Sequence, residues 1–160
     1  AEDQVFCGDA MPECSGTFGI NMDYRGIFLN MSFYYQFGGQ TYNQTLVDRV
    51  ENANVGLNVD KRIYNAVWKK PGDRVDFSYN PYRLTKPSSR FVQDLNELRL
   101  SSLNVGYDFR HCAFLKKSRL QQLKASFYMD DVFRASTVKT ERGLTYPFAR
   151  TFSFSLQATF

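Results

Sequence analysis

The sequence lacks several features that would point to common classes of protein. It contains no run of about 18 apolar residues, so we predict no transmembrane helix. This absence does not exclude membrane-spanning strands, because such strands carry only an alternating pattern of apolar and polar residues. The single histidine, His111, cannot by itself supply a histidine-based triad or metal cluster. The basic residues occur singly or in pairs and the net charge is only +4, which argues against binding of nucleic acid.

Cysteine is also scarce. Cys7, Cys14 and Cys112 are an odd number, so at least one thiol is unpaired. Cys7 and Cys14 either form a small loop disulfide in an oxidising compartment or are free thiols. There is no CxxC spacing to support a zinc or redox site. Asp130 and Asp131 are adjacent and would face opposite sides of a strand, so they do not form an acid–base pair. We therefore predict no catalytic residue, no metal, no cofactor and no enzyme activity.

Aromatic residues are abundant, with 15 Phe and 10 Tyr, and this composition favours strands. The clearest strand covers about residues 150–160, where apolar and polar residues alternate strictly up to the final Phe160. Four earlier segments, beginning near Phe18, Ile27, Leu98 and Leu123, alternate in the same way. In the third of these the phase slips at Ser101-Ser102, which predicts a β-bulge.

The five predicted strands are roughly 9–12 residues long, the length that a tilted strand needs to cross a bilayer. Their charged residues all fall in the polar set, and a charge on a lipid-facing position would cost about 2–4 kcal/mol. The connections alternate between short and long, from the tight turn at Arg25-Gly26 to a loop over about residues 38–89. A further short turn is predicted around Arg110–Ser118, and it includes His111. Short periplasmic turns and long extracellular loops are typical of outer-membrane barrels.

The predicted fold class is therefore all-β, an antiparallel transmembrane β-barrel segment of about five strands with long extracellular loops. Five strands cannot close a barrel, and open edges are not tolerated in lipid. We expect strands outside this chain to complete the barrel. The polar start, Ala1–Gln4, indicates either an internal piece of a precursor or a secretory signal that has been removed.

Several motifs, taken in chain order, resemble SusC-like TonB-dependent transporters. The run Trp68-Lys69-Lys70-Pro71-Gly72-Asp73 resembles the W-x-K-P-G-D loop motif of that family. Residues 89–94 and 98–107 are similar to its S-x-R-F-V-x-D and L-R-L-K-N-x-x-L-G-Y strand. Tyr146-Pro147 and the terminal Phe160 resemble its last strand. Further similarities lie in residues 8–12, 15–19, 24–26 and 32–39.

The resemblance implies that residues 1–160 are the C-terminal part of a TonB-dependent transporter barrel. It implies import of oligosaccharides or peptides across the outer membrane of a Gram-negative, Bacteroidetes-like bacterium. The implied partners are the rest of the barrel with its plug domain, a SusD-like surface lipoprotein, outer-membrane lipid, and the TonB complex through an absent N-terminal part. The alternative function is a soluble β-sandwich that acts as a carbohydrate-binding or adhesion module, because alternation alone does not distinguish a lipid-facing surface from a core.

Two groups of residues are candidates for functional roles. The ligand-contact candidates are aromatic or polar residues of the long loop and of the polar strand face: Tyr42, Trp68, Tyr79, Tyr82, Tyr34 and Arg99. For the loop aromatics we favour packing over ligand stacking, because buried aromatics commonly hold an ordered loop together. The second group is a signal for the barrel-assembly machinery, with simple anchoring at the membrane interface as its alternative. It consists of Phe152, Phe154, Leu156 and Phe160.

Overall fold

A computed structural model of the chain describes residues 5–54, 56–78, 85–112, 115, 120–139 and 149–160. These residues form one five-stranded antiparallel sheet, in which each strand neighbours the next along the chain. The strands are β1 (Cys14–Tyr24), β2 (Ile27–Tyr42), β3 (Val92–Asp108), β4 (Gln122–Ser136) and β5 (Phe152–Thr159). The prediction of five antiparallel strands is confirmed.

The turn between β1 and β2 has only two residues, because Tyr24 pairs with Ile27. Both turn residues have positive φ, +50° at Arg25 and +91° at Gly26. Such a turn matches the twist of a hairpin, and glycine adopts it without strain. At position 26 a Cβ would also lie 2.7 Å from the carbonyl oxygen of Asp108. Backbone shape and close approach both require glycine here.

The strands differ in length from the prediction of roughly 9–12 residues. β2, β3 and β4 contain 16, 17 and 15 residues, whereas β5 contains 8. β2 continues past Gly38, the predicted start of the long loop, and ends at Tyr42. The connection to β3 therefore spans residues 43–91.

An irregularity lies at the predicted position, Ser101-Ser102, but the extra residue is in β4 and not in β3 as predicted. Leu100 pairs with Phe133 and Ser102 pairs with Asp130, so one residue of β3 stands opposite two of β4. The register count places the extra residue in β4, where Asp131 has a φ of +50°. A bulge bends a strand and increases its local twist.

One set of alternating positions in the sheet is apolar and exposed. Across β1 and β2, the rings of Phe18 and Phe33 stack with their centroids 4.8 Å apart. Across β4 and β5, the rings of Phe127 and Phe152 lie 6.0 Å apart. The large exposed apolar residues of the strands include Phe18, Ile20, Met22, Ile27, Phe37, Leu98, Phe133, Phe152, Phe154 and Leu156. These side chains are exposed and are not buried in a core.

The chain divides into two compact units, and two of the boundaries between them fall within β2 and β3. The sheet unit consists of residues 13–37, 96–136 and 149–160, and the loop unit of residues 1–12, 38–95 and 137–148. Among the described residues, no helix is long and apolar enough to cross a membrane.

The loop unit has a hydrophobic core of its own. Its helical segments are α1 (Gln44–Leu46), a single π-type turn (Val47–Glu51) and α2 (Ile63–Ala66). The buried cluster consists of Leu46, Val47, Val50, Val67 and Phe91, with Tyr42, Ile63 and Phe77 packed against it. The long connection is therefore a folded element, which period-two alternation did not predict.

The two ends of this connection are held together by hydrogen bonds. The backbone N–H of Asn43 donates to the carbonyl oxygen of Phe91 (2.8 Å), and the Asn43 amide donates to Gln93 Oε1 (2.9 Å). The same Asn43 side chain accepts from the N–H of Leu46 and caps α1. A single buried asparagine thus closes the base of the loop and starts its first helix.

Candidate functional site

Two of the predicted ligand-contact residues lie together in the sheet unit. The guanidinium carbon of Arg99 lies 5.1 Å from the centroid of the Tyr34 ring. The Tyr34 hydroxyl donates to Gln36 Oε1 at 2.7 Å, which fixes the direction of the ring. The Arg99 Nε is buried and has no hydrogen-bond partner among the residues that the structure describes. The pair therefore presents a cation stacked on an aromatic ring on the polar face of the sheet.

The charges around Arg99 explain why it forms no ion pair with any residue that the structure describes. Arg99 stands opposite Arg134 in the register of β3 and β4. The buried carboxylate of Glu97 accepts from Arg134 Nη2 at 2.7 Å. Glu97 is thus paired with Arg134 and not with Arg99, and no sequence pattern predicted this choice. The arrangement leaves an excess of positive charge near Tyr34.

A second polar cluster lies at the Arg25-Gly26 end of the sheet unit, and the sequence analysis did not predict it. The buried carboxylate of Asp108 accepts from Arg110 Nε at 2.8 Å and from Gln122 Nε2 at 3.1 Å. Lys124 Nζ lies 3.7 Å from the same carboxylate. A cavity of about 650 Å³ adjoins the cluster. Its lining includes Asp23, Arg25, Asn30, Asp108, Arg110 and Lys124.

The loop aromatics differ in environment. Tyr42 is the last residue of β2, and its ring meets the ring of Phe91 edge-on at 5.8 Å. Trp68 is 50% exposed, and its backbone N–H donates to the carbonyl oxygen of Phe77. Tyr79 and Tyr82 lie outside the described residues. Tyr42 thus contacts the loop core, whereas Trp68 presents much of its side chain to solvent.

The W-x-K-P-G-D motif forms a tight turn. Asp73 Oδ2 accepts from the backbone N–H groups of Lys69 (3.2 Å) and Lys70 (3.1 Å), and the Asp73 N–H donates back to the Lys70 carbonyl oxygen. Gly72 supplies the positive φ of +99° that closes it. The motif therefore has a structural role, in which its aspartate fixes the residues that follow Trp68.

Asp60 and Arg62 stabilise the loop electrostatically. The carboxylate of Asp60 is almost fully buried and accepts from Arg62 Nη2 at 2.5 Å and Nε at 2.9 Å. Burial alone would raise the pKa of the Asp60 carboxyl. The hydrogen bonds and positive charge of Arg62 outweigh the burial and lower that pKa below its ordinary value.

The candidate assembly residues lie on or next to β5, which pairs with β4 from Met129↔Phe152 to Gln122↔Thr159. Phe152, Phe154 and Leu156 are 63–71% exposed, and Phe160 is 82% exposed. Their shared face is thus available to lipid or to another protein. The cysteines Cys7, Cys14 and Cys112 are free thiols, so the Cys7–Cys14 disulfide does not form in this structure.

Comparison with known proteins gives one sequence relative and several structural neighbours. A TonB-dependent receptor, P3, from Formosa agariphila is 26% identical to the chain, over 99% of this chain and 17% of the relative. The chain is similar to a segment of a TonB-dependent receptor. The resemblance stated from the motifs is thereby confirmed. No protein-family model matches the chain.

The structural neighbours support the fold. The RagAB peptide importer in its open-open state matches with a TM-score of 0.67 and 16% identity, over 94% of this chain and 17% of the neighbour. Its closed-closed state gives a TM-score of 0.65 at 16% identity, over 94% of this chain and 18% of the neighbour. The five-stranded sheet therefore matches a barrel segment, as the fold prediction required. The chain spans about a sixth of the length of these proteins. Their names describe a receptor and a transporter, not enzymes.

Proposed function

We propose that this chain is the C-terminal part of a SusC-like, TonB-dependent importer of oligosaccharides or peptides in the outer membrane of a Bacteroidetes-like bacterium. The observation that carries the proposal is the single antiparallel sheet with an exposed apolar face, combined with similarity to a TonB-dependent receptor along 99% of the chain. Contact of such an apolar strand face with lipid is energetically favourable, whereas its exposure to water is unfavourable.

In this proposal the two faces of the sheet have different tasks. The apolar face, with Phe18 and Phe154 among its members, contacts outer-membrane lipid. The polar face contacts water, the plug domain and passing ligand. Tyr34 and Arg99 are the ligand contacts on this face, since the Arg99 guanidinium stacks on the Tyr34 ring and Arg134 adds a second positive charge opposite Arg99.

The loop unit belongs on the extracellular side and carries the ligand-contact residues Tyr42, Trp68, Tyr79 and Tyr82. Trp68 is the strongest of these among the described residues, because half of its surface is open to stack on a ligand ring. Tyr42 acts mainly by packing against Phe91. A SusD-like surface lipoprotein covers this side, and the TonB complex acts through the N-terminal part of the transporter.

The β5 residues Phe152, Phe154, Leu156 and Phe160 are proposed to be read by the barrel-assembly machinery. Their support is the exposed apolar face that they share, which a folding factor can bind before the barrel closes. Replacement of Phe160 by Ala should lower the amount of folded barrel in the membrane, whereas Phe160→Trp should keep it.

The proposal is tested by labelling single cysteines in cells. The three native cysteines of the chain are first replaced by serine, and one cysteine is then introduced at Trp68, Arg25 or Phe154. A membrane-impermeant maleimide should label W68C in intact cells. It should label R25C only after the outer membrane is permeabilised, and F154C only after denaturation.

Equal labelling of all three positions in protein that extracts without detergent would contradict the proposal. It would instead favour the soluble β-sandwich module, although the described residues form one sheet and not two. The cargo is tested separately, by measuring growth and uptake on defined oligosaccharides and peptides with and without TonB.

A further inference from the structure

The loop unit contains a cavity of about 470 Å³, and Tyr42 and Trp68, the ligand-contact candidates that the structure describes in this unit, are not among its lining residues. It lies beside the W-x-K-P-G-D turn and α2. Its lining residues are Tyr64, Asn65, Val67, Lys69, Lys70, Asp73, Arg74 and Val75. Three cations and one anion line a cavity of a size suited to one or two rings of a ligand.

The single anionic side chain that lines this cavity, Asp73, already accepts hydrogen bonds from the main chain. Asp73 Oδ2 accepts two backbone N–H groups in the turn, so the carboxylate is held by the main chain. Lys69 Nζ donates to the backbone carbonyl oxygen of Tyr64. The lysine head group therefore stays close to the α2 side of the cavity.

The other two cations, Lys70 and Arg74, have no comparable interaction with the described residues. Lys70 and Arg74 are exposed, and neither forms an ion pair or a side-chain hydrogen bond with any residue that the structure describes. A guanidinium fork matches the two oxygens of a carboxylate, and an ammonium adds a second positive charge. The cavity thus offers an anion two cations that form no ion pair with the described residues, and its lining carries three positive charges against the one negative charge of Asp73.

Aromatic surface lies next to these cations. Tyr64 is one of the lining residues and is 68% exposed, and Trp68, two residues before Lys70, is 50% exposed. The C–H face of a pyranose ring packs on an exposed aromatic face, while its carboxylate reaches the adjacent cations. A peptide carboxylate would use the cations without needing the rings, so the combination favours a sugar acid.

We propose that this cavity, which we call the loop anion site, binds the carboxylate of an acidic oligosaccharide through Lys70 and Arg74, with Tyr64 against the sugar ring. The inference deepens the proposed function, because it names a cargo class for the extracellular loop. Binding at the site needs neither TonB nor transport, so the two proposals fail separately.

The experiment measures binding to the whole protein that carries this chain, purified in detergent, by calorimetry at low ionic strength. The probe is a short oligomer of galacturonic acid, and the matched neutral probe is its methyl ester. We expect the acid to bind and the ester to bind much more weakly. Added salt should weaken binding of the acid, because exposed charges are screened.

Variants then locate the site. K70Q and R74Q should each weaken binding of the acid about two- to five-fold, the range expected for an exposed ion pair. K70R should keep it, since the charge is retained. K61Q is the control, because Lys61 is exposed in the same unit, lies outside the cavity lining and undergoes the same change of charge.

Three results would overturn the proposal. The first is equal binding of the acid and its methyl ester. The second is equal weakening by K61Q and K70Q, which would indicate a general charge effect. The third is tighter binding of an acidic peptide, such as tetraglutamate, with the same dependence on Lys70 and Arg74. That last result would assign the cavity to peptides instead of sugars. Failed uptake together with intact binding would count only against the proposed transport role.

Discussion

The ion pair between Glu51 and Arg90 gives the sharpest test of how the loop is held. Arg90 Nη2 lies 2.6 Å from Glu51 Oε1 and 2.5 Å from Oε2, and Thr85 Oγ1 adds a hydrogen bond at 3.1 Å. Arg90 directly precedes Phe91 of the loop core, and its guanidinium also lies 4.8 Å from the Phe91 ring centroid. The pair thus links the π-type turn to the residues that lead into β3.

The magnitude follows from the unequal burial of the two partners. The Glu51 side chain is 6% exposed, whereas that of Arg90 is 46% exposed. Removal of one partner from a fully buried pair costs about 3–5 kcal/mol, because the other charge is left uncompensated. An exposed pair contributes only about 0.2–1 kcal/mol. For Arg90→Gln we therefore expect about 2 kcal/mol of loop stability to be lost, which is about 30-fold in the opening equilibrium.

Hydrogen exchange followed by mass spectrometry measures this opening over residues 43–91. R90Q should raise exchange there about 30-fold without changing β1. The double variant E51Q/R90Q should recover part of the loss, because no buried charge remains. The control is R74Q, since Arg74 forms no ion pair with the described residues and should change exchange less than about twofold. Additive effects of E51Q and R90Q, or unchanged exchange in R90Q, would refute this account of the loop.

Two further predictions concern the sheet and the pH dependence of the loop. Gly106→Ala would place a Cβ 2.3 Å from the Phe28 ring and 2.4 Å from a backbone carbonyl oxygen, so it should cost about 1–3 kcal/mol and lower the folded fraction on semi-native gels. Gly19→Ala, whose Cβ would meet its nearest neighbour at 3.4 Å, should leave that fraction unchanged. Because Arg62 lowers the pKa of Asp60 below 3.8, the stabilisation is complete above about pH 4 and is lost as the pH falls through the lowered pKa. Exchange in the loop, corrected for intrinsic rates, should rise at acid pH in the native protein but not in D60N, and equal rises would contradict the role of Asp60.

Sequence periodicity predicted the strands wherever one face is continuously apolar. The alternation from Phe18 to Phe37 and from Phe152 to Phe160 was sufficient to place β1, much of β2 and β5. It failed at the strand extensions, Gly38 to Tyr42 and the residues after Asp130, where neither set of positions is uniformly apolar. Hydrogen bonding to a neighbouring strand continues in these segments although their sequence has no alternating hydrophobic pattern. The predicted strands were therefore too short.

A different reason explains why the folded loop and the charge pairing could not be predicted from the sequence. The loop core joins Leu46 and Val50 to Val67 and Phe91, which are far apart in the sequence, through helical segments of one or two turns. Short segments carry too little periodicity to be recognised. The choice of Arg134 over Arg99 as the partner of Glu97 depends on the bulge register, which only the assembled strands define. Tyr34 and Arg99, which stay predicted ligand contacts, lie together on the polar face because both alternate with apolar neighbours on strands of the same sheet.

The sheet has two features that are unfavourable in water, an exposed apolar face and unpaired strand edges. Any environment proposed for the sheet has to satisfy both. Its apolar face exposes large side chains such as Phe133, Phe152 and Phe154, and contiguous exposed patches of this kind mark interaction or membrane surfaces. Among the described strands, β1 and β5 each pair on one side only, which leaves rows of backbone donors and acceptors open to pairing. Lipid can cover the apolar face but cannot satisfy backbone hydrogen bonds. Further strands would satisfy the edges. A closed barrel in a membrane, as proposed, would therefore remove both problems, whereas a second packed sheet would cover only the apolar face.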